Sequence, residues 1–160
     1  LGLPLTGAKT KALVTEALIQ VEADQLAQKP LGELSGGEMQ RVRVAQALIS
    51  KPKLILADEP LSALDLNHQH VVSELIANQA KKQGAAVIFV THDLNPVSDY
   101  VDRVLYLAKG RYSIGTTQEV MQSDVLSDLY GTEIDVVRSQ GRIVVLGAHD
   151  HDHHDDEEWV

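Results

Sequence analysis

Two short apolar runs separated by a helical pattern constrain the fold of this chain more than any other feature. The runs cover Lys53 to Ala57 and Ala86 to Val90, and apolar residues recur at helical spacing between about Leu66 and Gln83. A continuous apolar run of this length is typical of a strand buried on both faces of a parallel sheet. Because a strand–helix–strand crossover implies parallel pairing, we predict an α/β fold whose two strands are neighbours.

Polar residues follow both predicted strands. Asp58 and Glu59 come directly after the first, and Thr91-His92-Asp93 follow the second. Pro60 lacks an N–H group and is expected to hold the residue before it extended, which ends the first strand. Ligands of such sheets bind beyond the carboxyl ends of the strands, so these side chains are candidates for a functional site. Taken alone, an acidic pair or a single histidine there is more often a solvated surface group.

A capping box predicts the start of another helix at Ser35 and Glu38. The helix would bury one apolar face, consisting of Met39, Val42, Ala45 and Leu48. Gly36 and Gly37 fall in its first turn, where each glycine costs about 1 kcal/mol relative to alanine. An ordinary helix start does not need them. Two glycines leave backbone N–H groups open to close approach by an anion such as phosphate.

Four segments carry a family resemblance. They are LSGGEMQR at 34–41, LILADEP at 54–60, SALD at 62–65 and THD at 91–93. In sequence, order and spacing they resemble the signature motif, Walker B motif, D-loop and H-loop of ABC-transporter ATPases. The resemblance implies a P-loop NTPase (RecA-like) ABC ATPase fold, present in part, with part of the helical subdomain. Residues 1–50 would belong to that subdomain, 51–146 to the ATPase core and its terminal hairpin, and 147–160 to a disordered tail rich in His and acids.

The resemblance also implies the roles of the site residues. Asp58 would hold Mg²⁺ through its water shell, and Glu59 would polarise the attacking water. His92 would contact the γ-phosphate of ATP. The signature residues would bind ATP held by a second subunit, and the D-loop aspartate would lie at that dimer interface; these residues are Ser35, Gly36, Gly37, Glu38 and Asp65.

ATP and Mg²⁺ are therefore the expected cofactors. The expected partners are a second copy in a homodimer, an integral-membrane permease and, indirectly, a substrate-binding protein. The subunit would lie in the cytoplasm, on the inner face of the membrane. The chain contains no G-x-x-x-x-G-K-[ST] phosphate loop and begins at Leu1, so we interpret it as part of a longer protein. Alone, it is expected neither to bind nor to hydrolyse ATP.

Weaker sequence similarities, outside the four motifs, indicate the transported cargo. The segments at 65–69, 95–97, 101–106 and 129–131 look most like importers of zinc or manganese. Histidines alternate with acids in the tail, and such side chains suit Zn²⁺; the candidate ligands are His149, His151, His153 and His154. The alternatives for this tail are a solvated acidic end or an engineered tag.

Composition limits the other function classes. The chain has no cysteine, which excludes disulfides and thiolate metal sites. Six acids in residues 147–160 account for most of the net charge of −9, and no basic stripe indicates a nucleic-acid partner. No apolar run approaches the ~20 residues of a membrane helix. Two other functions stay open, a soluble ABC-type ATPase without a permease and a non-catalytic truncated product whose tail binds metal.

Local patterns predict the remaining elements. We expect helices at about 9–21, 23–28 and 95–100, the last with Asn95 as N-cap and Pro96 as its first residue. Two more helices are expected, one starting near Thr117 and one from Asp124 to Tyr130. Antiparallel pairs are expected at 103–107 with 112–115 and at 133–138 with 142–146.

Overall fold

The computed structural model describes residues 7–147, which fall into two compact units. Within the described residues, the first unit extends to residue 100 and the second begins at residue 101. The helices and strands of the first are α1 (Gly7–Gln20), α2 (Gly36–Leu48), β1 (Leu54–Asp58), α3 (Leu66–Gln83) and β2 (Ala86–Val90). Short 3₁₀ turns lie at Asp24–Leu26, Leu31–Glu33 and Asn95–Val97. The predicted division at residue 50 and the separate tail stay predictions.

The predicted parallel pairing of the two apolar strands is confirmed. β1 and β2 are in register from Leu54 opposite Ala86 to Asp58 opposite Val90, and α3 makes the crossover. Asp65 is the N-cap of α3, and Gly84, with a φ of 64°, ends the helix in the left-handed conformation. The two strands therefore bring their carboxyl ends to the same edge.

The expectation that both faces of these strands are buried is wrong for the described residues. Ile55 is buried, whereas Leu56, Ile88 and Val90 are more than half exposed. Within residues 7–147 this sheet has two strands, and the face that carries Leu56, Ile88 and Val90 is largely exposed.

Three local expectations also need correction. Glu59 is not extended, because its φ is 45°, in the left-handed region. Asn95 is the first residue of its 3₁₀ turn rather than the N-cap, and its N–H donates to Asp93 Oδ1 at 2.9 Å. In α2 the buried face shifts away from Met39 and Val42; it consists of Arg41, Val44, Ala45 and Leu48.

The second unit contains two hairpins and two short helices. Its elements are β3 (Val104–Ala108), β4 (Arg111–Gly115), α4 (Thr117–Val120), α5 (Ser123–Tyr130), β5 (Ile134–Ser139) and β6 (Arg142–Gly147). Both predicted antiparallel pairs are confirmed. The turns Lys109-Gly110 and Gln140-Gly141 have positive φ at both residues, as two-residue hairpins require.

Side chains on α5 fasten the last hairpin of this unit. Ser127 Oγ accepts a hydrogen bond from the Ile134 N–H at 2.9 Å and donates one to the Ile134 carbonyl at 3.2 Å. Leu126 of the same helix is fully buried.

Between residues 7 and 147, no helix combines the length and apolar character needed to cross a membrane.

Candidate functional site

Glu59 and His92 meet where the two parallel strands end. His92 Nδ1 lies 3.1 Å from Glu59 Oε1 and 3.0 Å from Oε2. The Glu59 N–H donates to the Val90 carbonyl at 2.9 Å, which continues the strand pairing by one residue. The hydrogen bond and the charge of Glu59, with a smaller contribution from Asp93, raise the pKa of His92. A carboxylate beside an imidazole at a sheet edge can orient a water molecule and accept its proton.

Asp58 is the last residue of β1, and its side chain is exposed at the same edge. Among residues 7–147 no group of three or more His, Cys, Asp or Glu side chains could enclose a metal ion. Mg²⁺ keeps several of its waters and is usually bound by one or two carboxylates together with substrate phosphates. A single exposed carboxylate fits that mode of binding, so Asp58 suits the outer-sphere role that the sequence predicted.

The predicted capping box at the start of α2 is confirmed. The Glu38 N–H donates to Ser35 Oγ at 3.3 Å, and the Ser35 N–H donates to Glu38 Oε2 at 2.7 Å. Lys29 Nζ adds an ion pair with Glu38 at 2.9 Å, which sequence reasoning missed. The Ser35 N–H and then Lys29 lower the pKa of Glu38 to about 2. The carboxylate of Glu38 is thus engaged within the chain, and its predicted contact with nucleotide stays a prediction.

The two glycines lie against the loop that follows β1. A Cβ at Gly37 would stand 2.7 Å from the Ala63 carbonyl oxygen, and a Cβ at Gly36 would stand 3.5 Å from Ala63 Cβ. Ala63 itself has a φ of 62°. Close approach of this loop is therefore a second reason for glycine, besides the open N–H groups that the sequence analysis proposed.

A groove of about 400 Å³ is lined by the start of α2 together with this loop. Most of the predicted signature and D-loop residues line it; the lining comprises Ser35, Gly36, Gly37, Glu38, Arg41, Ala63, Leu64, Asp65 and His68. The structure thus brings the predicted site residues together in two places, this groove and the strand ends with Asp58, Glu59 and His92. The candidate zinc ligands His149, His151, His153 and His154 lie outside the described residues.

Asp65 has a local role that the sequence analysis did not predict. Its Oδ1 accepts from the His68 N–H at 2.9 Å, and its Oδ2 lies 2.8 Å from His68 Nδ1. The His68 N–H and ring lower the pKa of this aspartate. His68 Nε2 in turn faces Glu22 Oε2 at 3.8 Å. The proposed position of Asp65 at a dimer interface stays a prediction.

Arg41 is a second residue that sequence reasoning missed. Its side chain is buried, and its guanidinium donates to the Val21 carbonyl at 3.1 Å and to the Glu22 carbonyl. It therefore ties α2 to the end of α1. The signal was present in the sequence, because residues 41, 44, 45 and 48 follow helical spacing and place this arginine on the buried face.

Sequence comparison links the chain to ABC transporters. The ABC transporter family model matches residues 6–62. Among curated proteins, the hemin import ATP-binding protein HmuV of Photobacterium damselae subsp. damselae is 38% identical over 141 residues, covering 84% of this chain and 53% of the relative. The peptidoglycan transport ATP-binding protein YejF of Agrobacterium fabrum is 39% identical over 120 residues, covering 72% of this chain and 22% of that protein. The chain spans about half the length of the hemin import relatives it matches.

Solved structures give the same result for the fold. An inward-facing ABC transporter assigned to the metal-chelate type matches with a TM-score of 0.69 at 29% identity, over 91% of this chain and 59% of that one. The dimeric bacterial ABC transporter cassette MJ0796 matches with a TM-score of 0.67 at 30% identity, over 72% of this chain and 50% of that one. We conclude that the chain has, over part of its length, the fold of the ABC ATPase cassettes and is similar in sequence to ABC transporter ATP-binding proteins.

Proposed function

We propose that the complete protein carrying this chain hydrolyses ATP as the nucleotide-binding subunit of an ABC importer. The observation that carries the proposal is the Glu59 carboxylate, held 3.0 Å from His92 where two parallel strands end. The names of the hemin import relatives support the direction of transport.

The described residues suggest how this chain contributes to the reaction. Phosphoryl transfer to water depends mainly on positioning and electrostatics. Glu59 would orient the attacking water and accept its proton, while His92 would contact the γ-phosphate. Asp58 would hold a hydrated Mg²⁺, which when bound neutralises charge on the phosphates. The measurement is steady-state ATP hydrolysis by the complete protein, with and without Mg²⁺. Absence of Mg²⁺-dependent hydrolysis, with the protein folded and its permease present, would contradict the proposal.

The start of α2 would act on the nucleotide of a second copy. In this arrangement Ser35, Gly36, Gly37 and Glu38 bind the ATP held by the partner, and Asp65 lies at the interface. A structural neighbour is dimeric, which supports a homodimer. The dimer would drive an integral-membrane permease from the cytoplasmic face of the membrane, with a substrate-binding protein delivering the cargo.

We further propose a cargo that contains a metal, for which two candidates have separate support. The segments at 65–69 and 95–97 resemble importers of zinc or manganese. The hemin import relatives and the metal-chelate type neighbour favour a chelated metal. Uptake of labelled zinc, manganese and hemin should be measured in a strain lacking the protein, complemented by the parent or by Glu59→Gln. Restoration of one cargo by the parent alone identifies it, and unchanged uptake of all three contradicts this part of the proposal.

The tail is proposed to bind Zn²⁺ weakly through His149, His151, His153 and His154. Imidazole must be neutral to bind a metal, so binding should weaken as the pH falls. Calorimetry should show zinc binding that is lost when residues 147–160 are removed, with the ATPase rate unchanged. Equal zinc binding by the truncated protein would show that the tail is only a solvated end.

A further inference from the structure

The backbone of Glu59 is fixed from several directions. Its N–H donates to the Val90 carbonyl at 2.9 Å. Its carbonyl accepts from the Ser62 N–H at 3.1 Å, from Ser62 Oγ at 2.8 Å and from Gln40 Nε2 at 3.5 Å. Both sides of this residue are therefore held, one by β2 and the other by the loop and α2.

The conformation held in this way is an unusual one. Glu59 has a φ of 45°, in the left-handed region where residues with a side chain are uncommon. Such conformations persist only where the surrounding structure over-determines them, and they concentrate at functional sites. Because the backbone angles set the direction of the Cα–Cβ bond, this conformation determines where the Glu59 carboxylate points. It points at His92, with both oxygens within 3.1 Å of Nδ1.

We propose that Ser62 and Gln40 are positioning residues for the Glu59 carboxylate. Ser62 acts from within the loop and makes the shorter contact with the Glu59 carbonyl. Gln40 acts from α2, the helix whose first turn carries the signature glycines. The inference rests on the proposed function, because it takes Glu59 to be the carboxylate that activates water.

The contact from Gln40 gives the arrangement a further consequence. The same loop also lies against Gly37 through the Ala63 carbonyl. The first two turns of α2 therefore contact both ends of segment 59–63, Gln40 at Glu59 and Gly37 at Ala63. A shift of the first two turns of α2 would therefore reach Glu59 within one subunit. Nucleotide contacts at the start of α2 and the orientation of the carboxylate are linked through this loop.

The test compares four variants of the complete protein with two controls. Ser62→Ala removes the hydroxyl, Ser62→Thr keeps it, and Gln40→Ala removes the amide. The matched controls are Gln46→Ala, which changes an exposed residue of α2, and Ser50→Ala, which changes an exposed residue just beyond the end of that helix. Ser62→Ala should lower kcat about tenfold with an unchanged KM for ATP, since one neutral hydrogen bond contributes about that factor. Gln40→Ala should lower kcat about twofold, because its contact is long, and Gln40→Ala combined with Ser62→Ala should exceed either single change.

A second measurement does not depend on hydrolysis. The pKa of His92 is raised by Glu59, so it reports whether the carboxylate still faces the ring. An NMR titration of the histidine ring signals, with His92 assigned from a His92→Gln protein, should show a lower His92 pKa in Ser62→Ala. Ser62→Thr and both controls should keep the parent value. If Ser62 served only to stabilise the fold, Ser62→Ala would lower thermal stability without changing the pKa of His92.

These outcomes separate the two proposals. If Ser62→Ala and Gln40→Ala keep the parent kcat and the parent His92 pKa, the positioning role is wrong. If the pKa falls but the complete parent protein hydrolyses no ATP, the positioning of Glu59 stands and the proposed function fails. Should Ser62→Ala not fold, Gln40→Ala and Ser62→Thr still decide the question.

Discussion

The starts of α2 and α4 form the same local structure in different surroundings. Ser35 with Glu38 and Thr116 with Glu119 both make the two reciprocal hydrogen bonds of a capping box. Their donor–acceptor distances agree within 0.1 Å, at 3.3 and 2.7 Å in the first and 3.3 and 2.8 Å in the second. In both, the backbone N–H of the capping residue lowers the pKa of the glutamate.

The surroundings of the two boxes differ. The first begins a helix of 13 residues with two glycines, beside a groove and a loop that contains left-handed Glu59 and Ala63. The second begins a helix of four residues whose first residue, Thr117, is buried. A capping box therefore indicates where a helix begins, and only its neighbours indicate whether that start is also a site. Substitutions in the first region should change activity, and matched substitutions in the second should change stability alone.

The largest contrast is expected between acids of the two regions. Glu59→Gln keeps the size of the side chain but removes its charge, and loss of a positioned general base typically lowers the rate 10²–10⁴-fold. The complete protein should then form an ATP-stabilised dimer that hydrolyses little ATP. The separate variant Asp58→Asn should lower hydrolysis and also weaken Mg²⁺-dependent ATP binding. Steady-state turnover and size exclusion in Mg-ATP measure these effects.

Glu119→Gln is the matched control for this first prediction. It removes an acid from the second capping box and should leave turnover within about twofold of the parent, since the loss of a cap acts on stability and Glu119 is not among the proposed site residues. Hydrolysis at the parent rate by Glu59→Gln would remove the basis for contrasting the two regions.

A glycine near each box offers a second comparison. A Cβ at Gly37 would lie 2.7 Å from the backbone oxygen of Ala63, and relieving that contact would require the backbone itself to shift. A Cβ at Gly115 meets Glu119 Oε2 at 2.8 Å, the end of a flexible side chain, and Glu119 Cβ at 3.1 Å. Overpacking costs about 1–3 kcal/mol, so Gly37→Ala should lower the free energy of unfolding in urea by more than Gly115→Ala. If Gly37→Ala raises stability, as helix propensity alone predicts, the close packing of the loop is wrong.

The capping residues themselves should behave alike in stability and differently in activity. Ser35→Ala and Thr116→Ala each remove one N-cap hydrogen bond, which costs about 1 kcal/mol of unfolding free energy. Only Ser35→Ala should also weaken the ATP-stabilised dimer. A Thr116→Ala protein with an equally weakened dimer would mean that the dimer responds to general destabilisation.

The smallest effect concerns the dependence of stability on pH. The pKa of Glu38 falls from an ordinary value of 4.5 to about 2 on folding. Its contribution to stability is therefore fully present above pH 4.5 and is lost as the pH falls through about 2. In urea unfolding between pH 5 and pH 2, Glu38→Gln should flatten the pH dependence relative to the parent. Lys29→Met should flatten it by less, because the Ser35 N–H remains.

Patterns that act over a few residues predicted most of the fold. The bounds of α3, its parallel strand neighbours, both hairpins and the capping box of α2 follow from periodicity, caps and turn residues. The proximity of Glu59 and His92 also followed, because the carboxyl ends of parallel strands meet at one edge. Contacts outside the paired strands, between residues far apart in the sequence, were not predictable in this way.

Three features show why the rest of the structure could not be predicted from local sequence patterns. Local rules around Pro60 expect an extended Glu59, whereas contacts from Gln40 and Val90 hold its left-handed backbone. The packing of Gly37 depends on a carbonyl 26 residues away, since Ala63 belongs to the loop between β1 and α3. Arg41 has the spacing of the buried face, but a periodicity that counts only apolar residues passes over it, and its partners are carbonyls at the end of another helix.

The position of Arg41 has an electrostatic consequence for α1. The carboxyl end of a helix carries about half a negative charge from its aligned peptide dipoles, and a cation there is stabilising. The last turn of α1 contains no basic residue of its own. Arg41 supplies the missing positive charge from α2, because its guanidinium meets the Val21 and Glu22 carbonyls just beyond that turn. One helix thus completes the charge balance of another: α2, which Ser35 caps, places the cation of Arg41 at the carboxyl end of α1.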